Sequence, residues 1–341
     1  MKKFECIALF SIILLLAIRT QAQTLIAVQN GGIPKFYSIL QDAITSAQNK
    51  DTIYIPGGAY SFTDNITINK ELHLIGTGHN PDSTATTGIT QLNATIYLVA
   101  GANNSTFEGL SNFGFISGKS TSDEDVDNIT ISRCNCNGPI ALSGLSTNWL
   151  IYESIVASSI IGLSVSSSSY AQNNLFSNNL IQGTINYFGP NNIFKNNYFL
   201  GPSIILNNND GCLFQNNIFA YSSQYGNITS CIFNNNLFID DASIPGGSLG
   251  SNNIFSQSLT STFVNQSGNT FNYAHDYHLK TDSPGKGAGK DGTDIGIYGG
   301  AYPWKAGSIP TNPHFQRINI SPKTDNSGNL NVKIKVAAQD Y

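Results

Sequence analysis

The sequence predicts an all-β solenoid, a stack of about ten short coils with an N-terminal helical cap and a C-terminal β-hairpin tail. Two observations carry this. The phrase Leu175-Phe176-Ser177-Asn178-Asn179 recurs as Ile193-Phe194-Lys195-Asn196-Asn197, as Leu213-Phe214-Gln215-Asn216-Asn217 and as Ile232-Phe233-Asn234-Asn235-Asn236, with a degenerate copy at Ile254-Phe255-Ser256-Gln257. Its Phe positions advance by 18, 20, 19 and 22 residues, the length of one solenoid turn. The second observation is that Phe, Ile and Leu keep this regular spacing within a background of Asn, Ser and Gly. A disordered low-complexity chain lacks such a stripe.

Taken in order, the chain opens with Lys2 and Lys3, an apolar run over 7–18 and Thr20-Gln21-Ala22. This is the pattern of a secretory signal peptide cleaved after Ala22, too short for a comfortable membrane span. It predicts export to the periplasm or beyond, without membrane insertion after cleavage, and a monomer is expected. Over 36–49, Phe36, Ile39, Leu40, Ala43, Ile44 and Ala47 follow helical spacing. With the strand Thr52-Ile53-Tyr54-Ile55, this segment (23–60) is the expected cap over the apolar end of the stack. The solenoid itself is assigned to 61–305. Alternating segments at 65–75, 91–99 and 106–116, then rungs at Ile129, Ile131 and 149–155, lead into the clear repeats. Coils adding roughly 4.8 Å each make a rod on the order of 50 Å. The stretch 276–300 breaks the period and reads as the last coil and its closure. Beyond 305, Ile318 and Ile320, then Leu330, Val332, Ile334 and Val336, alternate around Asp325-Asn326-Ser327-Gly328-Asn329, the signature of a hairpin tail over 306–341.

Charged residues make up 11% of the chain and the net charge is −4. With no cluster of Lys or Arg to attract phosphates, nucleic acid is excluded as a partner. Cys212 and Cys231 each precede a repeat Phe by two residues and stack on adjacent coils, as a disulfide or as buried thiols. Cys134 and Cys136 lie on one strand in poor geometry for a disulfide. Side chains alternate faces along a strand. If Phe176, Phe194, Phe214 and Phe233 stack inside with Phe199, Phe219 and Phe238 as a second column, then Leu175, Ile193, Leu213 and Ile232 form an outward apolar ribbon. The tail from 315 to 336 is the expected cover for it. The paired Asn residues suit the corners, where Asn tolerates the left-handed backbone and stacked amides bond from coil to coil as an Asn ladder.

The segment from Ala43-Ile44 to Asp51-Thr52-Ile53-Tyr54-Ile55-Pro56-Gly57-Gly58-Ala59-Tyr60, the run Lys70-Glu71-Leu72-His73-Leu74-Ile75-Gly76-Thr77-Gly78, the Phe-x-Asn-Asn coils and the ending over 276–300 resemble the right-handed parallel β-helix proteins of the pectate-lyase-like (pectin lyase-like) superfamily, particularly exported members of Bacteroidetes type. The resemblance covers most of the mature chain. It implies a right-handed winding and an extracellular carbohydrate context, with polysaccharide lyases, glycoside hydrolases, esterases and adhesins all on one fold.

A sugar-cleaving enzyme needs carboxylates, as an acid/base pair or as calcium ligands. The densest group is Asp123, Glu124, Asp125 and Asp127, the candidate calcium site and the one cofactor the residues admit. Asp125 and Arg133 are the candidate lyase pair, since lyases of this superfamily use Lys or Arg as the base and Arg133 lies one coil from the acidic loop. Asp240-Asp241 resembles the paired Asp of β-helix hydrolases but lacks the Gly-His element of the next coil. His275 and His278 read as packing in the closing coil, and Asp291 and Asp294 as turn acids. These residues form no full catalytic constellation. Two readings follow: an exported protein that binds or acts on polysaccharide or cell-surface glycan, as a lyase or glycoside hydrolase if it is an enzyme, and a non-enzymatic surface or adhesin-type module.

Overall fold

A computed structural model describes residues 25–62, 64–117, 124–143, 146–163, 169–201, 206–220, 225–241 and 243–339; the segment expected to be a signal peptide lies outside them. The described chain is a parallel β-solenoid of about nine turns. Ten parallel rungs, from Asp51–Tyr54 to Leu249–Ser251, make the first sheet, and a second sheet runs beside it through the strands that follow each corner.

Register follows the repeat. Phe107, Ile131, Ile151, Phe176, Phe194, Phe214 and Phe233 are successive partners in the first sheet, all fully buried. From Phe176 onward the rings stack at 4.6, 4.9 and 4.7 Å, and Phe199, Phe219 and Phe238 form a second stack at 4.7 and 4.8 Å. Each buried Phe contributes roughly 2–3 kcal/mol, so the two columns are the main apolar core. Cys134, Cys136, Cys212 and Cys231 are buried free thiols within it.

Between the sheets the chain turns through one left-handed residue per coil. Asn178, Asn196, Asn216 and Asn235 hold φ of 54–56°, a region Asn enters at small cost. The next residue turns inward and builds the ladder. Asn197 Oδ1 accepts from Asn179 N (3.0 Å) and Nδ2 (3.1 Å), while Asn197 Nδ2 donates to Phe176 O (2.9 Å) and to Asn217 Oδ1 (3.1 Å). Asn217, Asn236 and Asn253 repeat the pattern. Ser154 replaces the amide upstream: it accepts Cys134 N through Oγ and donates its own N–H to Asn179 Oδ1.

The N-terminal cap is a helix laid beside an antiparallel extension. Ile26–Gln29 pairs with Asp51–Tyr54 and with Lys35–Tyr37. Because Lys35–Tyr37 is a strand, the helix is shorter than its periodicity predicts, Leu40–Ser46, and it buries Leu40, Ala43 and Ile44. Lys70 Nζ reaches back to the carbonyls of Ile44, Thr45 and Ala47, satisfying helix-end acceptors and opposing the negative end of the dipole.

The C-terminal third departs from expectation. The parallel rungs end at Ile254–Gln257, and 276–300 is not a further coil. After the helix Leu259–Thr262, the strand Phe263–Asn265 pairs antiparallel with Asp276–Leu279 on the flank of the second sheet. The chain then runs back along the corners as a strap. Asn235 Nδ2 donates to Ala288 O, Asn216 Oδ1 accepts Lys290 N, Asn196 Nδ2 donates to Asp294 O and Gly296 O, and Asn178 Nδ2 donates to Ile297 O and Gly299 O. Under the strap lies a second core outside the solenoid. Leu180, Tyr198, Ile218 and Leu237, an outward row of the second sheet, are sealed against Phe263, Tyr277, Leu279, Ile295 and Ile297.

The expected cover is therefore corrected in both of its parts. The Phe columns face inward and the Leu175 row outward as parity requires, but the tail does not lie over that row. Ile193 and Ile232 remain 37% and 42% exposed. The covered row belongs to the other sheet, and its cover comes from 263–297. The tail forms its own hairpin, His314–Ile320 with Val332–Ala337, whose apolar residues stay 42–55% exposed. Removing the chain from 314 onward is expected to change solenoid stability by less than about 0.5 kcal/mol. A urea titration showing a loss of several times that would mean the hairpin is part of the fold's support. Among the described residues no helix is long and apolar enough to cross a membrane.

Candidate functional site

The acids singled out from the sequence are dispersed. Asp123 lies outside the described residues. Glu124 is half-buried and Asp125 exposed. Asp127 Oδ1 accepts Thr147 N (2.6 Å) and Thr147 Oγ1 (2.9 Å), closing the turn onto the next rung. Among the described residues no group of three or more His, Cys, Asp or Glu is placed to hold a metal ion. Asp240 sits exposed in the left-handed region, whereas Asp241 accepts from Tyr225 OH at 3.1 Å. Asp291 and Asp294 pin the strap, Asp291 to Lys195 (3.0 Å) and Asp294 to Lys286 (2.7 Å).

Asp125 precedes the strand Thr130–Ser132 and Arg133 follows it, and Arg133 is not open to a substrate. Both it and Glu153 occupy the left-handed corner that later coils give to Asn, with φ of 50° and 49°. Arg133 is 1% exposed, its Nε donating to Glu153 Oε2 at 2.8 Å and its Nη1 to Ile309 O at 3.1 Å. Glu108, 3.6 Å from Nη1, accepts Thr311 N (2.8 Å) and Thr311 Oγ1. Burial pushes the Glu153 carboxyl up, against the opposing pull of Arg133. This cluster clasps the strap to the solenoid. Pro310 rests on Gly109, where a Cβ would collide with its ring.

A cleft opens where the flanking hairpin and the strap meet the loop over 77–88. Its volume is about 240 Å³, and its walls include Asn80, Tyr273, Asp276, His278, Tyr298 and Trp304. The loop is fixed by Thr77 N on Thr90 Oγ1 (3.0 Å) and by Asn80 O, which accepts Thr84 N. His79 is buried beneath it, and desolvation drives its imidazole down to about 3 against the pull of its own backbone hydrogen bond. The ring is therefore neutral. Tyr273 OH lies 2.8 Å from both His79 O and His79 Nδ1. A carbonyl can only accept, so the phenol proton goes to His79 O and Nδ1 carries the ring proton. That leaves the buried Nε2 as an acceptor with no partner among the described residues.

On the cleft's other side His278 stacks on Tyr298, centroids 3.7 Å apart and 14° from parallel. Asp276 Oδ1 accepts His278 N (3.0 Å) and Nδ1 (2.7 Å). Partial desolvation opposes ionisation of Asp276, but the His278 hydrogen bonds hold its carboxyl below the ordinary value. Burial raises the Tyr277 and Tyr298 phenols to about 12, so both remain protonated. The result is a small concave surface with aromatic faces, amide groups and one ionised carboxylate. That combination suits a ligand having an apolar face and hydroxyl edges.

Sequence reasoning saw the His275/His278 run but placed it in end packing, and it passed over His79, Asn80 and Trp304. The available signal was local: two His, an Asp and three aromatics within 271–278, on a segment that had lost the coil period. Compared with protein-family models, with curated proteins and with solved structures, the chain finds no match.

Proposed function

We propose that this chain is an exported right-handed β-helix protein of the pectate-lyase-like kind that binds extracellular glycan through the aromatic cleft on its flank. The observation that carries the reading is that the His278–Tyr298 stack, Trp304 and Asp276 line one pocket. Sugars present hydroxyl edges to a carboxylate and C–H faces to aromatic rings, so the two kinds of surface are used together. Binding without cleavage is the favoured form, because Arg133 and Asp241 among the candidate catalytic residues, and Asp127 of the candidate calcium loop, are engaged in the fold, which leaves only the exposed Asp125 and Asp240. Arg133 is buried on Glu153, Asp127 closes a turn, and Asp241 bonds Tyr225. A surface or adhesin-type module and a glycan binder are then one protein described from two sides.

Affinity electrophoresis through gels cast with a panel of polysaccharides tests this. Trp304→Ala and His278→Ala are each expected to weaken retardation by about 10- to 30-fold, the cost of removing an anchoring aromatic. His278 is exposed enough that its loss leaves the fold intact. Release of unsaturated or reducing products that disappears in Asp125→Ala would overturn the non-catalytic form.

A further inference from the structure

We infer that the ligand of the cleft is an electrically neutral glycan, presented as a chain end or a single ring, and not a uronate-bearing polysaccharide. The inference rests on the glycan-binding reading above and assigns its substrate class. It starts from charge. Among the described residues no Lys or Arg lines the cleft, and its one charged wall residue beyond the histidines is Asp276. The nearby lysines act elsewhere: Lys280 Nζ donates to Thr260 O at 2.6 Å, Lys286 pairs with Asp294, and Lys305, which follows Trp304, acts on the Glu153 carboxyl of the clasp. A carboxylate-bearing sugar is normally held by a guanidinium fork, an ammonium or a bound cation. Here it would meet a fixed negative charge at contact distance. The background has the same sign, since positions 25 to 313 hold ten Lys and Arg against eighteen Asp and Glu.

The hydrogen-bonding inventory points the same way. Asp276 Oδ1 takes both bonds from His278, and Oδ2 has no partner among the described residues. An ionised carboxylate only accepts, so what it lacks is a donor, which a sugar hydroxyl supplies; a uronate has such hydroxyls too but brings its own carboxylate, an acceptor of like charge, into the same small cleft. Asn80 and Asn272 provide amides that both donate and accept. Size limits the occupant further. A cleft of about 240 Å³ lies just below the range that encloses drug-sized ligands, so it takes one ring and leaves the rest of a chain outside.

Tryptophan fluorescence reads the site directly. Trp149 is sealed in the core, 1% exposed with its Nε1 on Val126 O, which leaves Trp304 as the residue that reports the cleft. The folded protein is titrated with neutral gluco-, xylo-, manno- and galacto-oligosaccharides and, in parallel, with oligogalacturonate and oligomannuronate, at roughly 50 and 500 mM NaCl. At least one neutral series is expected to shift the emission, with a Kd that changes less than about twofold between the two salts. The uronates are expected to bind at least about 10-fold more weakly. Asp276→Asn is expected to weaken the neutral ligand and to narrow the gap to the uronates by about threefold or more. Uronates that bind as tightly as any neutral series, or a neutral Kd that collapses in high salt, would overturn the inference while leaving glycan binding in place. Silence across every series, with retention on no polysaccharide gel, would sink the glycan-binding reading itself.

Discussion

Arg133→Met is expected to destabilise the fold by about 3–5 kcal/mol at neutral pH, the cost of leaving one partner of a buried ion pair alone. The substitution keeps an unbranched side chain of similar length at a left-handed corner, so the backbone term is nearly constant. It removes the 2.8 Å bond to Glu153 and the bond to Ile309 O. What remains is a carboxyl with 2% exposure, already pushed up by desolvation and now without the guanidinium that opposed it. The sign of the pH dependence follows. A carboxyl whose folded value stands above its unfolded value contributes stability when protonated and loses it as pH rises through the folded value. The deficit of Arg133→Met relative to the parent is therefore largest at neutral pH and shrinks as pH falls toward the ordinary carboxylate range. Arg133→Met with Glu153→Met removes both charges and is expected to recover most of the loss. Urea titrations of the three proteins at neutral and acidic pH check this; a double variant no better than the single would show that the clasp acts through something other than paired charge.

Asn197→Leu should cost a similar amount, about 3–5 kcal/mol, for a different reason. The side chains are close in size, so the loss is in bonding and not in volume. Without the amide, Asn179 N and Phe176 O lose their partners inside the solenoid, and each orphaned buried group costs about 1–3 kcal/mol. The chain contains its own control. Ser154 fills the equivalent place two coils earlier and passes the ladder on through Oγ, so Asn197→Ser is expected to lose about half as much as Asn197→Leu. Equal losses for Ser and Leu would mean that the ladder matters by shape alone.

How far the sequence could be read depended on how far apart the interacting residues are. The Phe columns and the Asn ladder repeat every coil, so each contact is announced by a spacing near twenty residues, and alternation alone put Phe176 inside and Leu175 outside. The clasp was within reach of the same reasoning. Aligning Ser132-Arg133-Cys134, Tyr152-Glu153-Ser154 and Ser177-Asn178-Asn179 puts opposite charges at adjacent corners, where later coils have Asn. The cleft was not within reach, since it joins His79 and Asn80 to Tyr273 and Trp304 across some two hundred positions with no period to link them. The strap escaped for a related reason. Its Gly-rich stretch shows no alternation, and it is held by side-chain amides bonding its backbone, a pattern without a hydrophobic signature. That is also why the wrong outward row was given a cover: the row that needed one, through Leu180, Tyr198, Ile218 and Leu237, is matched by apolar residues scattered from Phe263 to Ile297.

Solenoids ordinarily gain and lose repeats with little penalty, because each coil touches only its neighbours. This one carries a tape measure. From Asn235 back to Glu108 the strap meets one corner after another, in reverse order, with contacts at 288, 290, 294, 297, 309 and 311. Inserting or deleting a coil would slide every later corner by roughly 4.8 Å against a ribbon of fixed length, and the amides at those corners would face the wrong carbonyls. Duplication of the repeat, the usual way such rods lengthen, is closed to this chain unless the strap grows in step with it.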